Sequence, residues 1–118
     1  MVEDQQVTVR DNPRQDRFEL LVDGAVAGYA AYRHEGGALA VTHVEVDDGH
    51  EGEGLGSRLV GSMLAEVRGR GTPVLPYCPF VRGYLRKHLE EQDVVPAADR
   101  ARFGLGVFQV GGGREGRQ

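Results

Sequence analysis

The chain contains no tryptophan and a single cysteine, Cys78. One cysteine excludes an intramolecular disulfide, and it excludes the multi-thiolate zinc centres of small metal-dependent folds. A membrane-spanning helix needs about 20 consecutive apolar residues, and every apolar run here is far shorter. Positive charge is not in excess: 14 Lys and Arg stand against 18 Asp and Glu, a formal charge of −4. A uniformly basic surface is absent, so neither a nucleic-acid nor a membrane partner is expected. His34, His43, His50 and His88 are not set at metal-ligand spacing, so no metal is expected. The opening residues, Met1-Val2-Glu3-Asp4-Gln5-Gln6, are acidic and polar. That is unlike a secretory leader, and with the lone thiol it predicts a cytoplasmic protein.

What is plentiful is glycine, 18 of 118 residues, which favours turns and close backbone approaches over a long helical bundle. Val7 to Arg10 is short and β-branched, and Asp11-Asn12-Pro13 has turn chemistry. Phe18 to Val22 is a second strand, and Asp23-Gly24 a hairpin signal. Val26 to Arg33 and Ala38 to Val46 follow as third and fourth strands around Gly36-Gly37. Hairpin-linked strands imply an antiparallel meander.

After Asp47 the period changes. Leu55, Leu59, Val60, Met63, Leu64 and Val67 mark one face of a helix of about four turns. Gly61 weakens it by about 1 kcal/mol relative to alanine, and Gly69 and Gly71 offer a stop. A fifth strand over Pro73 to Tyr77 and a second helix from Phe80 to Glu91 come next. Phe103, Leu105, Val107 and Val110 suggest one more strand, and Gly111 to Gln118 reads as disordered. The expected organisation is a domain over residues 1–95 and a partly disordered extension over 96–118.

The stretch that carries chemistry is Glu51-Gly52-Glu53-Gly54-Leu55-Gly56-Ser57-Arg58. Alternating glycines let backbone approach a ligand, and the helix that follows aims free N–H groups and a positive dipole at it. Such an arrangement cradles phosphate. A P-loop would need Lys-Ser/Thr after the last glycine, where Ser57-Arg58 stands. A dinucleotide fold would need the glycines in an opening parallel βαβ unit, and here they follow a meander.

Thr42-His43-Val44-Glu45-Val46 through Gly56-Ser57-Arg58-Leu59 resembles the pyrophosphate-binding motif of the GNAT superfamily of N-acetyltransferases. That pattern, Gln/Arg-x-x-Gly-x-Gly/Ala, falls on Glu51, Gly54 and Gly56. Asp11-Asn12-Pro13, the Tyr32 region, His43 to Val46, and Cys78-Pro79-Phe80-Val81 followed by Tyr84 and His88 resemble the short GNAT-like family of minimal acetyltransferase domains. The resemblance implies an α/β fold: a mixed, mostly antiparallel sheet with flanking helices, splayed between its fourth and fifth strands. It implies acetyl-CoA as cosubstrate, its pyrophosphate on Gly52, Glu53, Gly54, Leu55, Gly56, Ser57 and Arg58 and its pantetheine along the backbone of Val44, Glu45 and Val46. Glu51 and Glu53 would oppose a phosphate by roughly 0.6–1 kcal/mol per pair. Charge-assisted amide bonds contribute about 1.5–3 kcal/mol each and outweigh them.

Transfer of acetyl to an amine needs a deprotonated nucleophile, a stabilised oxyanion and a proton for the departing thiolate. By the resemblance, Glu45 is a general base with His43 two residues earlier on the same strand face, and Tyr84 protonates the thiolate. Cys78 is either a nucleophile that takes the acetyl group first or a small core residue. His43 and Glu45 are alternatively polar residues of a solvated face, and Tyr84 a packing aromatic. The expected reaction is direct attack by a primary amine, small-molecule or protein-borne, on acetyl-CoA, by a monomer or homodimer. The alternatives are a CoA-binding regulatory module without catalysis and an interaction domain that uses its sheet edges.

Overall fold

The computed structural model describes residues 6–47 and 54–106. Strands β1 (Val7–Asn12), β2 (Arg17–Val22), β3 (Ala25–Glu35) and β4 (Ala38–Val46) are followed by helix α1 (Leu55–Arg70), strand β5 (Val74–Pro76) and helix α2 (Pro79–Lys87). The spatial order β1-β2-β3-β4-β5 follows the chain. The first four strands pair antiparallel, and β5 pairs parallel to β4, with α1 as the crossover.

The hairpins are set by residues that tolerate a left-handed backbone. Asp23 and Gly24 have φ of 52° and 85°, and Gly36 and Gly37 have 55° and 82°. Positive φ at both central positions is the two-residue turn that matches strand twist. β1 runs on to Asn12, paired with Arg17, so the turn falls on Pro13 to Asp16 and begins two residues later than its composition suggests.

Two register shifts break the pairing, at Leu20/Leu21 of β2 and at Ala31/Tyr32 of β3. In the second, Tyr32 faces Val41 while Ala31 faces His43, leaving Thr42 as the extra residue of β4. This bulge has consequences for the site.

α1 presents Leu55, Leu59, Val60, Met63, Leu64 and Val67 to Phe18, Leu20, Ala30, Leu39 and Val41 of the sheet. Each such side chain contributes about 1.5–3 kcal/mol through burial. The helix ends on Gly71 at φ 73°, with Gly71 N–H donating to Arg68 O and Thr72 N–H to Val67 O, both at 3.0 Å. That pair of bonds satisfies carbonyls the helix leaves unpaired. Arg70 at the same end donates to Asp11 Oδ2 at 2.7 Å, and the Tyr32 hydroxyl donates to Asp11 Oδ1 at 2.6 Å. The last turn of α1 is thereby pinned to β1. Burial, followed by the Asp11 carboxylate, pushes the Tyr32 phenol well above its ordinary value.

The strand expected around Phe103 is a correction. Residues Leu89–Val94 form a 3₁₀ segment, Ala97–Arg100 a short helix α3, and Ala101–Phe103 a 3₁₀ turn. Gly104 and Gly106, at φ 73° and 74°, then interrupt any extended run. Phe103 and Leu105 are buried in the same core as residues before 95, so the described part of the expected extension packs with the domain. Val107 and Val110 lie outside the described residues. Among the described residues no helix is long and apolar enough to cross a membrane.

Candidate functional site

β5 pairs with β4 only as far as Pro76 opposite Val41, and the Cys78 N–H closes the contact on Val41 O at 3.0 Å. β4 continues for five residues more, to Val46. Its backbone direction there follows from one bond: Asp47 N–H donates to Ala27 O at 2.8 Å, on the β3 side. Bonded and non-bonded pairs alternate along an antiparallel ladder. Glu45 and His43, opposite Tyr29 and Ala31, therefore turn their backbone groups to β3, and Val44 and Val46 turn theirs away, into the gap where β5 has ended. Of the three residues expected to offer backbone to a pantetheine, the gap is lined by Val44 and Val46.

At one end of this gap stands the N-terminus of α1. Gly54 holds φ 71°, no side chain caps the helix, and its first turn has no acidic residue. The first intrahelical bond is Arg58 N–H to Gly54 O, at 3.1 Å. The N–H groups of Leu55, Gly56 and Ser57 precede that bond and have no carbonyl within the helix to meet. Gly52 and Glu53, expected in the same cradle, lie outside the described residues, as does Glu51.

α2 closes the other side. Cys78 is its N-cap residue and is buried, with Pro79 in the first turn. Phe80 lies over Gly56, where an added Cβ would come within 2.8 Å of its ring, and the Tyr84 hydroxyl lies over Gly61 in the same way at 2.9 Å. A helix-weakening glycine thus has a packing reason. Between the helices is a hollow of about 250 Å³ lined by Ser57, Phe80, Gly83, Tyr84, Lys87 and His88. A larger one of about 440 Å³ lies at the far end of α1, beside Arg68, Asp93 and Pro96, away from all the predicted site residues.

His43 and Glu45 come together. His43 Nε2 is 3.0 Å from Glu45 Oε1, and the Tyr29 hydroxyl donates to the same oxygen at 3.3 Å. Both residues are over half exposed, whereas Val44 and Val46 pack against the core, so the pair points to the face away from α1. The contact with His43, then the bond from Tyr29, holds the Glu45 carboxyl below the usual carboxylate range. An ionised carboxylate only accepts, so Nε2 carries a hydrogen in this contact, and in the neutral ring Nδ1 holds the free lone pair.

Tyr84 is bound elsewhere. Its hydroxyl donates to Glu91 Oε2 at 3.1 Å, and its ring stacks on His88 with centroids 4.0 Å apart. Burial, then the nearby Glu91 charge, raises its phenol above the ordinary value, so it stays protonated through neutral pH. Among the described residues no hydrogen bond joins Tyr84 or Cys78 to the His43–Glu45 pair.

Three participants escape a reading of the sequence. Tyr29 reaches Glu45 only through strand register. Glu91 meets Tyr84 because the chain turns at His88, whose φ of −124° ends α2. Arg82 donates to the carbonyls of Tyr77 at 2.6 Å and Pro76 at 3.2 Å, tying down the end of β5 at the splay.

Residues 17–94 match a family model described as GCN5-related N-acetyl-transferase. No curated protein matches the chain. Among solved structures it is similar to a GNAT-family protein from Desulfovibrio desulfuricans, at 24% identity and a TM-score of 0.48 over 60% of this chain and 52% of that one. It is also similar to the ribosomal-protein-alanine N-acetyltransferase of Brucella melitensis biovar Abortus 2308, at 26% identity and a TM-score of 0.43 over 70% of this chain and 64% of that one. The chain thus spans about half of the first and under two thirds of the second.

Proposed function

The chain belongs to the GCN5-related N-acetyltransferase family, and from that premise we propose that it transfers acetyl from acetyl-CoA to a primary amine by direct attack. The observation that carries the reading is the opened strand edge at Val44 and Val46 beside an uncapped helix start. The residues present fit the cosubstrate. Amides of Leu55, Gly56 and Ser57 suit a pyrophosphate, with the helix dipole adding to the attraction. Backbone N–H groups at Val44 and Val46 suit the pantetheine and the thioester carbonyl, whose oxygen gains charge as the amine attacks.

The Glu45–His43 pair receives the proton released by the attacking amine. Its carboxylate orients the imidazole, and the ring's Nδ1 is the open lone pair. As the C–S bond breaks, the thiolate takes a proton from Tyr84, whose phenol is protonated at working pH. Cys78 has a structural place at the β5–α2 junction that needs no covalent role.

The commitment of the Tyr84 hydroxyl to Glu91 favours a second reading, a CoA-binding module without turnover. Calorimetric titration with acetyl-CoA, followed by turnover assays over an amine panel, separates the two. Gly54→Asp forces a side chain onto a left-handed residue and puts a carboxylate beside the amides, and it should weaken binding at least about tenfold. Millimolar or absent affinity in the native chain, or unchanged affinity in Gly54→Asp, would overturn both readings. Tight binding without turnover would leave the second.

A further inference from the structure

On the sheet face away from α1, four side chains stand in one cross-strand row: Arg10 opposite Glu19, Glu19 opposite Tyr29, and Tyr29 opposite Glu45. Side chains directly opposite one another share a face and touch. Glu19 is only 2% exposed although it points away from the main core, because its neighbours close over it. Arg10 Nε donates to Oε1 at 2.9 Å, Asn12 Nδ2 to Oε2 at 3.0 Å, and Arg17 Nε to Oε2 at 2.8 Å. Held in this way, the Arg17 guanidinium lies 5.0 Å above the centre of the Tyr29 ring. Tyr29 in turn packs at 5.9 Å from the His43 ring and donates to Glu45 Oε1, the same oxygen that meets His43. Glu19 is the most buried member of the row, and the contacts run outward from it, from Arg17 to Tyr29 to Glu45.

The pair at the end of this row needs such support. Glu45 and His43 are 58% and 57% exposed. Exposed ion pairs are worth little and wander among rotamers. A tyrosine has few rotatable bonds and, once its ring is pinned, offers a donor at a fixed point. We propose that Tyr29 is a positioning residue for the Glu45–His43 pair, its ring anchored through Arg17 to the buried carboxylate of Glu19. The inference rests on reading that pair as the proton acceptor, and it adds the residue that holds the pair in place. Among the described residues, the charged and titratable groups facing Glu45 are His43 on its own strand, Tyr29 on β3, and, further along the row, Arg17 and Glu19 on β2 and Arg10 on β1.

Tyr29→Phe keeps the ring beneath Arg17 and removes only the hydroxyl. The hydroxyl stabilises the ionised carboxylate, so its loss moves the Glu45 titration midpoint upward, read by carbon NMR of the labelled side chain. The acidic limb of the pH–rate profile moves the same way. The turnover number falls about tenfold, while KM for acetyl-CoA changes by less than about twofold, since the amides assigned to the cosubstrate lie at Val44, Val46 and the start of α1 and not on Tyr29. An unmoved Glu45 midpoint together with native turnover in Tyr29→Phe overturns the proposal. The NMR midpoint needs no activity, so a chain that acetylates nothing still tests the positioning. Native turnover in Glu45→Gln with a shifted midpoint in Tyr29→Phe would instead remove the pair from the reaction and leave Tyr29 as its holder.

Discussion

Gly61 sits in the middle of α1, where glycine costs about 1 kcal/mol relative to alanine. A Cβ there would lie 2.9 Å from the Tyr84 hydroxyl oxygen but 3.8 Å from the ring carbon that bears it. One oxygen atom therefore blocks the site. In the native background, Gly61→Ala sets the gain of about 1 kcal/mol against overpacking of about 1–3 kcal/mol. The net effect runs from neutral to about 2 kcal/mol destabilising. In Tyr84→Phe the obstructing atom is gone and the remaining carbon contact is ordinary, so the same substitution should stabilise by about 1 kcal/mol. Tyr84→Phe alone gives up the bond to Glu91 and costs about 1 kcal/mol. Urea denaturation of the four proteins closes the cycle, with an expected coupling of about 1–3 kcal/mol. In melting temperature, each kcal/mol corresponds to roughly 4 °C for a chain of this length. Turnover adds a second readout: an alanine that displaces the hydroxyl should lower it towards the Tyr84→Phe value. An identical effect of Gly61→Ala in both backgrounds would refute the packing argument and the hydroxyl position on which the acid role depends.

Burial alone would push the Glu19 carboxyl up, but hydrogen bonds from Asn12, Arg17 and Arg10 more than offset it, leaving it below the ordinary value of 4.5. Such a group contributes its full stability above the unfolded-state value and loses it as pH falls through the folded one. The urea midpoint should therefore drop on acidification below about 4.5, and less steeply in Glu19→Gln; equal slopes would refute the assignment. At neutral pH, Glu19→Gln should cost about 2 kcal/mol. Phe103→Ala should cost about 3–5 kcal/mol if the turn it occupies belongs to the core, and an unchanged denaturation midpoint would show that it does not.

Much of the architecture is legible in the chain itself. Period-2 strands between Asp-Gly and Gly-Gly pairs, followed by a period-3.6 helix, place the meander and α1 to within a residue or two. These signals are local, and the fold obeys them. The region after α2 defeats the same approach. Phe103 and Leu105 alternate as a strand would, yet alternate positions can equally fill a core from the end of a 3₁₀ turn and from between the two left-handed glycines that follow it. The site is legible in part. His43 and Glu45 meet because residues two apart on a strand share a face. That Tyr29 joins them, or that Glu91 occupies Tyr84, depends on register and on a chain reversal, neither of which leaves a mark in local composition.

Thr42 decides more than its modest side chain suggests. From Val41 onward, uninterrupted alternation would carry His43 and Glu45 inward beneath α1 and turn Val44 and Val46 to water. The extra residue slips the strand by half a period, so valines face oil and the acid–imidazole pair faces solvent. An adjacent single-residue insertion that was not absorbed in the same place would invert every later position of the strand at once, exchanging a greasy lining for a charged one without changing the chemistry of any side chain.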